Sequence, residues 1–174
     1  MAITKIQTVT LGSDATIITF SSIPQTATDL MVKVSARSTL GVAVSDLYIY
    51  FNGSTSSYTS RWVQGNGSSA SGNGNSAPAD ALVPTPTATS NTFNNVDVYV
   101  PNYAGSTIKT YSVDNVTENN GSTSYQRLIA SLWSNTAAIT SLSIYEANGG
   151  NMVAGSTATL YSVTKGSSGG VTVS

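Results

Sequence analysis

Asp114 and Glu118, in the run DNVTENN, are the only two carboxylates that lie close together along this chain. Paired carboxylates can work as acid and base on a glycosidic bond when they stand about 5–9.5 Å apart across a cleft. With the Asn and Thr oxygens beside them, they could instead hold calcium. The run lacks EF-hand spacing, and Asp14, Asp29, Asp46, Asp80, Asp97 and Glu146 are dispersed. A solvated turn with Asx hydrogen bonds is the better reading of DNVTENN. The chain has no histidine and no cysteine. That removes the Ser-His-Asp triad, HExxH zinc chemistry, thiol catalysis, thiolate metal sites and disulfides. GNGSSASG, from Gly65 to Gly72, has the glycines of a phosphate-cradling loop but no Lys-Ser/Thr after them, and GxGxxG fails at Ala70. No catalytic group, cofactor or metal is expected, and the chain does not read as an enzyme.

Binding chemistry is easier to find. SSYTSRWVQG places Tyr58, Arg61 and Trp62 together. Aromatics with an arginine serve as sugar platforms and as interface anchors; the structural alternative is a Trp62 that plugs the end of a sandwich. Tyr48, Tyr50 and Tyr99 are further candidates for contacts between subunits. A recognition surface is expected around residues 57–92. Trp133, in LWSNTAAITSLSIY, suggests a ligand platform at first sight. Alternating residues flank it on both sides, so the stretch reads as scaffold: a strand, a turn capped by Asn135 and Thr136, and a returning strand. Asn52, Asn66, Asn115 and Asn120 match the glycosylation sequon, and turns in an Asn/Ser-rich chain account for them.

The elements that must position these residues are strands. Leu30, Val32, Val34 and Ala36 alternate with Lys33, Ser35 and Arg37; Leu47, Ile49 and Phe51 oppose Tyr48 and Tyr50; Val96, Val98 and Val100 oppose Asp97 and Tyr99. Period-two alternation of this kind marks antiparallel strands with one buried face, and Val, Ile, Thr and Tyr suit them. Ser124–Trp133 also fits a helical stripe of Leu128, Ile129 and Leu132, but its context favours a strand. The pattern predicts an all-β fold, an antiparallel β-sandwich, jelly-roll-like, with about eight to ten strands. The strands fall near residues 3–10, 14–20, 28–37, 45–52, 57–64, 94–101, 107–113, 123–133, 139–146 and 156–164. Residues 1–164 form a single domain, interrupted by a long Gly/Ser/Asn/Pro-rich loop at 65–92 and followed by a flexible tail at 165–174.

Charged residues are 9% of the chain and the net charge is -1, against about 25% charged in an ordinary globular protein. Hydroxyls replace them, with 28 Ser and 24 Thr. The seven basic residues are scattered singly, so no nucleic-acid partner is expected. The longest apolar run, LYIYF, is too short to span a membrane. The N-terminal MAITKIQTVTLG has no apolar core of a secretory signal. The protein therefore stays in the cytoplasm that makes it, or leaves by a route that needs no signal.

FSSIPQTATDLMVKVSARS, LYIYFNGSTSSYTSRWVQGNGSS, VPNYAGSTIKTYSVDNVTENN, LIASLWSNTAAITSLSIY and NMVAGSTATLYSV together resemble a family of small virion structural proteins of tailed phages, especially phages of cyanobacteria and other aquatic bacteria. The likeness is spread over most of residues 1–164. Ala27 departs from it, standing where the family carries an aromatic residue. The resemblance implies a jelly-roll-like particle protein with no catalytic residues. Its implied role is a capsid decoration (cement) protein that binds the major capsid protein as a homo-oligomer, a trimer at local threefold positions. It would be made in the host cytoplasm and located on the capsid surface of the virion. The alternative is a carbohydrate- or receptor-binding module of a tail fibre or tailspike that takes a host surface glycan, carried by Tyr58, Arg61 and Trp62. A third reading, a non-viral adhesin, would call for a secretion signal.

Overall fold

The computed structural model describes residues 1–118, 120 and 123–165. These form twelve strands, paired antiparallel throughout, and two sheets that pack as a sandwich. The strands are β1 (Ala2–Thr10), β2 (Ile17–Phe20), β3 (Asp29–Ser35), β4 (Val44–Phe51), β5 (Tyr58–Gly65), β6 (Ala70–Asn75), β7 (Asp80–Pro84), β8 (Asn95–Pro101), β9 (Lys109–Val116), β10 (Gln126–Trp133), β11 (Leu142–Glu146) and β12 (Thr157–Thr164). The larger sheet has the order β1-β12-β3-β8-β9-β10-β5-β6, and the smaller has β2-β11-β4-β7.

The orders reveal how the fold is built. Without β5, β6, β9 and β10, the two sheets read β1-β12-β3-β8 and β2-β11-β4-β7, the eight-stranded, two-Greek-key arrangement of a jelly roll. The hairpins β5-β6 and β9-β10 are additions. Both join the larger sheet beyond β8, where β8 pairs with β9, β9 with β10, β10 with β5 and β5 with β6.

Each of the ten expected strands has its counterpart. Two more, β6 and β7, lie inside the segment read from sequence as one loop at 65–92. Its Gly/Ser/Asn half supplies an edge strand that pairs with β5, and its Pro-bounded half supplies the edge strand β7 that pairs with β4. Neither shows the alternation of a half-buried strand, because β6 is exposed and β7 is buried on both faces. The stretch around Trp133 is scaffold, but its second strand returns in the other sheet: β10 belongs to the larger sheet and β11 to the smaller. Asn135 does cap the connection, its side-chain oxygen accepting from the Ala137 N–H at 2.8 Å. Apart from Lys165, the expected tail at 165–174 lies outside the described residues.

The core is one cluster. Leu30, Val32, Val34, Val96, Val98, Val100 and Val113 of the larger sheet meet Ile18, Phe20, Leu47, Ile49, Leu142 and Ile144 of the smaller. Beyond the jelly roll, the added strands contribute aromatics: Trp133 stacks on Tyr58 with centroids 6.2 Å apart, and Phe51 lies 5.0 Å from Tyr111 and 5.7 Å from Trp133.

Polar side chains finish what the aromatics leave open. Strand β7 is the edge of the smaller sheet, and among the described residues no strand pairs with its other side. Asn115 of β9, fully buried, takes that place: its Oδ1 accepts from the Leu82 N–H at 2.8 Å and its Nδ2 donates to the Leu82 carbonyl at 3.0 Å. Asn94 donates to the same carbonyl at 2.8 Å, and the Ala79 N–H donates to the Tyr111 hydroxyl at 3.1 Å. The sequon at Asn115 is therefore a buried structural amide. Two buried charges close other gaps. Glu146 accepts from Ser38, Ser45 and the N–H groups of Asn148 and Gly150. Lys109 donates to the carbonyls of Gly105 and Thr107, and burial pushes its ammonium below the ordinary lysine range.

Two expectations follow from this interior. Asn115→Ala strands the Leu82 N–H while the Leu82 carbonyl keeps Asn94, and urea unfolding should register a loss of about 2 kcal/mol; a loss below about 0.5 kcal/mol would mean that the edge does not depend on this residue. Burial also raises the phenols of Tyr58 and Tyr111 above their ordinary 10.0, Tyr111 to about 12. A folded pKa above the unfolded one contributes stability that is intact below the unfolded pKa and lost as pH rises through the folded value. Alkaline titration followed by ultraviolet absorbance should therefore show these phenols ionising only with unfolding, after the exposed tyrosines. A single titration of all nine tyrosines with structure intact is the contrary result.

Candidate functional site

The pleat separates residues that the sequence places side by side. In β5, Tyr58, Ser60, Trp62 and Gln64 point inward, and Thr59, Arg61 and Val63 point outward, as their cross-strand partners show. Trp62 pairs with the buried Ile129, and Arg61 with the exposed Ala130. Tyr58 is 4% exposed and belongs to the core. Trp62 is half-buried, with the Arg127 guanidinium stacked over its ring at 4.4 Å. The expected trio of Tyr58, Arg61 and Trp62 therefore does not form one platform. Residues four apart in a strand share a face, and the residue next to either of them cannot.

Arg127 organises the interior beneath Trp62. Its Nε and one terminal nitrogen donate to Gln64 Oε1 at 2.9 and 2.7 Å. The other terminal nitrogen donates to the Asp80 carbonyl at 2.8 Å and to Asp80 Oδ2 at 3.0 Å. Burial raises the Asp80 carboxyl above the usual range, and the charge of Arg127 opposes that rise. This constellation ties β10 and β5 to β7 across the gap between the sheets. Asp80 Oδ1 is buried without a hydrogen-bond partner, but each residue of the constellation bonds another, and it stands as structure.

Two outward faces remain. On the smaller sheet, Tyr48 is opposite Tyr145, and Tyr145 is opposite Ile17. Tyr50 stands 6.0 Å from both Tyr48 and Tyr145, edge-on to the first. Tyr48 and Tyr50 thus sit in one aromatic patch, together with two residues, Ile17 and Tyr145, not foreseen from sequence.

On the larger sheet, residues paired across strands fall into rows that cross the sheet. One row runs Met31, Tyr99, Ser112, Ala130, Arg61, Gly74 from β3 to β6. Tyr99 and Arg61 are its tall members, and Ser112 and Ala130 between them are short. The consequence is an open groove, made of two adjoining hollows of about 580 and 570 Å3 that share Arg61, Tyr99, Ser112 and Ala130. The neighbouring row runs Lys33, Asp97, Asp114, Leu128, Val63. Leu128 and Val63 stand 52% and 60% exposed at the β5 side of the groove, and the carboxylates of Asp97 and Asp114 face one another at the other. Lys33 pairs with Asp97 at 2.5 Å.

Both walls of the groove are held in place. The Tyr99 hydroxyl donates to Oδ2 of the buried Asp29 at 2.6 Å, and that bond raises the phenol above its ordinary range. Arg61 lies flat across Gly74: a methyl group at Gly74 would come within 2.2 Å of the arginine Cδ. Its Nη1 donates to the Ser60 carbonyl at 2.8 Å, and among the described residues no carboxylate pairs with it. Of the six residues singled out from sequence, the structure brings Arg61 and Tyr99 to one groove across four strands. Asp97, Ser112 and Ala130 were missed, and Asp114 was weighed only with Glu118. Their signal is the run of short or acidic outward positions on neighbouring strands, visible only once the register is known.

No group of three or more metal-ligating residues occurs among the described residues, and DNVTENN is divided between an outward-facing Asp114 and a turn in which Glu118 accepts from the Asn120 N–H at 2.7 Å. None of the described residues forms a helix long and apolar enough to cross a membrane. Comparison with family models, with curated proteins and with solved structures gives no match.

The two arginines of this region separate by substitution. Arg127→Ala leaves Asp80 buried without its cation and should cost about 3 kcal/mol in urea unfolding. Arg61→Ala should stay within about 0.5 kcal/mol of the parent. Equal losses for both would contradict the division into a buried tie and a free surface group.

Proposed function

We propose that this chain is a structural protein of a tailed-phage virion, a decoration protein that binds the major capsid protein on the outside of the shell and stabilises it. The observation that carries this reading is the aromatic patch of Tyr48, Tyr50, Tyr145 and Ile17 on the outward face of the smaller sheet. Tyrosines offer large contact area with little rotamer entropy to lose, and their hydroxyls tolerate a partly wet interface. Strands fix their backbone positions, so the patch presents a rigid surface.

The resemblance of residues 1–164 to small virion proteins supplies the class of partner. A surface rich in hydroxyls with few charges suits crowding at high local density. A shell offers the same site many times over, so an oligomer, a trimer at local threefold positions, would add modest contacts through effective concentration. Among the described residues the nine-residue β1 is an edge strand that pairs only with β12, and that edge suits addition to a neighbour's sheet.

Labelling of this chain in purified particles, followed by reconstruction, should place it in many copies over the capsid. The double variant Tyr48→Ala/Tyr145→Ala should bind capsids stripped of the protein at least about tenfold more weakly, with its unfolding midpoint little changed. Label confined to the tail tip in a few copies would refute the assignment.

A further inference from the structure

The groove on the larger sheet is separate from the tyrosine patch, which lies on the opposite outer surface of the sandwich. Its position is informative. The hollows lie over β8, β9, β10 and β5, and three of these four strands belong to the hairpins added to the jelly roll. The span over three strand intervals is about 14 Å.

Its chemistry is mixed in a specific order. At the β8-β9 side, Asp97 and Asp114 are direct cross-strand partners. Like charges in that relation repel, and Lys33 answers only one of them. That side accepts hydrogen bonds and disfavours an anion. At the β5 side, Arg61 presents a guanidinium with no carboxylate partner among the described residues, laid out across Gly74. That side donates and favours an anion. Between them lie the Tyr99 ring, the hydroxyls of Ser112, Thr110 and Thr59, and the methyl of Ala130. By area the lining is mostly apolar, from Tyr99, Ala130, Leu132, Leu128 and Val63, and its hydroxyls and charges stand at a few fixed positions around these surfaces. A ligand that fits it has many hydroxyls, apolar C–H surfaces to lie against Tyr99, and a carboxylate at one end.

We infer that this groove binds an acidic oligosaccharide, with its carboxylate on Arg61, its hydroxyls donating to Asp97 and Asp114, and a ring against Tyr99. Both walls are held before the ligand arrives, Tyr99 by Asp29 and Arg61 by the Ser60 carbonyl in the space that Gly74 leaves open, so little ordering is required on binding. The inference does not rest on where the protein sits in a particle, because the groove is complete in one chain.

Calorimetric titration of the purified chain tests it, with tetramers of galacturonate, a hyaluronan tetrasaccharide, a sialic acid tetramer and the neutral maltotetraose as probes. At least one acidic probe should bind with Kd below about 1 mM, and maltotetraose at least about tenfold more weakly. Arg61→Gln and Gly74→Ala should each weaken the acidic probe by about tenfold or more. The first removes the cation; the second displaces it while leaving it present. Tyr99→Phe keeps the ring and should bind better than Tyr99→Ala, while Tyr48→Ala, on the other face, should match the parent. Circular dichroism confirms that each variant is folded. The inference is overturned if no acidic probe binds at about 10 mM, if maltotetraose binds as tightly, if Arg61→Gln binds unchanged, or if the groove variants abolish self-association of the chain and leave sugar binding alone. Capsid labelling and sugar titration give independent answers, so failure of one leaves the other standing.

Discussion

A four-stranded sheet covers only half of an eight-stranded one, and the rest of this structure depends on how the uncovered half is closed. The inner face of β9, β10 and β5 lies beyond the last strand of the smaller sheet. Trp133, Tyr58 and Tyr111 reach from it to Phe51 and fill the volume that further strands would have filled. Aromatic side chains suit this because each buries a large area from a single backbone position. Where the aromatics end, Asn115 bonds both polar groups of Leu82 and acts as the missing strand. At the start of β7, Arg127 bonds the Asp80 carbonyl and carboxylate. A buried polar group without a partner costs far more than a made hydrogen bond returns, so these side chains are requirements of the architecture.

With the inner face settled, the outer face of the added strands is free of structural duty. That accounts for its composition. Leu128 and Val63 stand exposed, Ser112 and Ala130 are short, and Arg61 has no carboxylate partner among the described residues. The same freedom applies to the outer face of the smaller sheet, where Tyr48, Tyr50 and Tyr145 gather. A sandwich presents two broad outward surfaces, and here one is aromatic and the other a groove whose largely apolar floor is edged by hydroxyls and charges. Attachment at one face and recognition at the other is an arrangement this shape permits without any moving part.

Much of the scaffold was legible in the residues. β3, β4 and β8 alternate cleanly, so their existence and buried faces could be read directly. β6 could not, because an exposed edge strand of Gly, Ser and Asn carries no hydrophobic period. β7 could not, because a strand buried on both faces carries no alternation. Among the candidate residues, Arg61 and Tyr99 were singled out for separate reasons, and nothing in their spacing of thirty-eight positions links them. Trp62 and Tyr58 looked like partners of Arg61 because they are near in sequence, which in a strand is no guide to sharing a face.

The residues alone determined that this chain is all-β, that it contains no histidine or cysteine chemistry, and that its surface is hydroxylated and nearly neutral. Only the tertiary structure decided which side of β10 turns inward. Its two faces, Leu128-Ala130-Leu132 and Arg127-Ile129-Ser131-Trp133, alternate equally well, and the more uniformly apolar one faces out. The choice belongs to Trp133, whose bulk fits beside Tyr58 and Phe51, and to Arg127, which finds Asp80. A strand's period is local, but the selection of its inner face is made by partners far away in sequence. The groove follows from that selection.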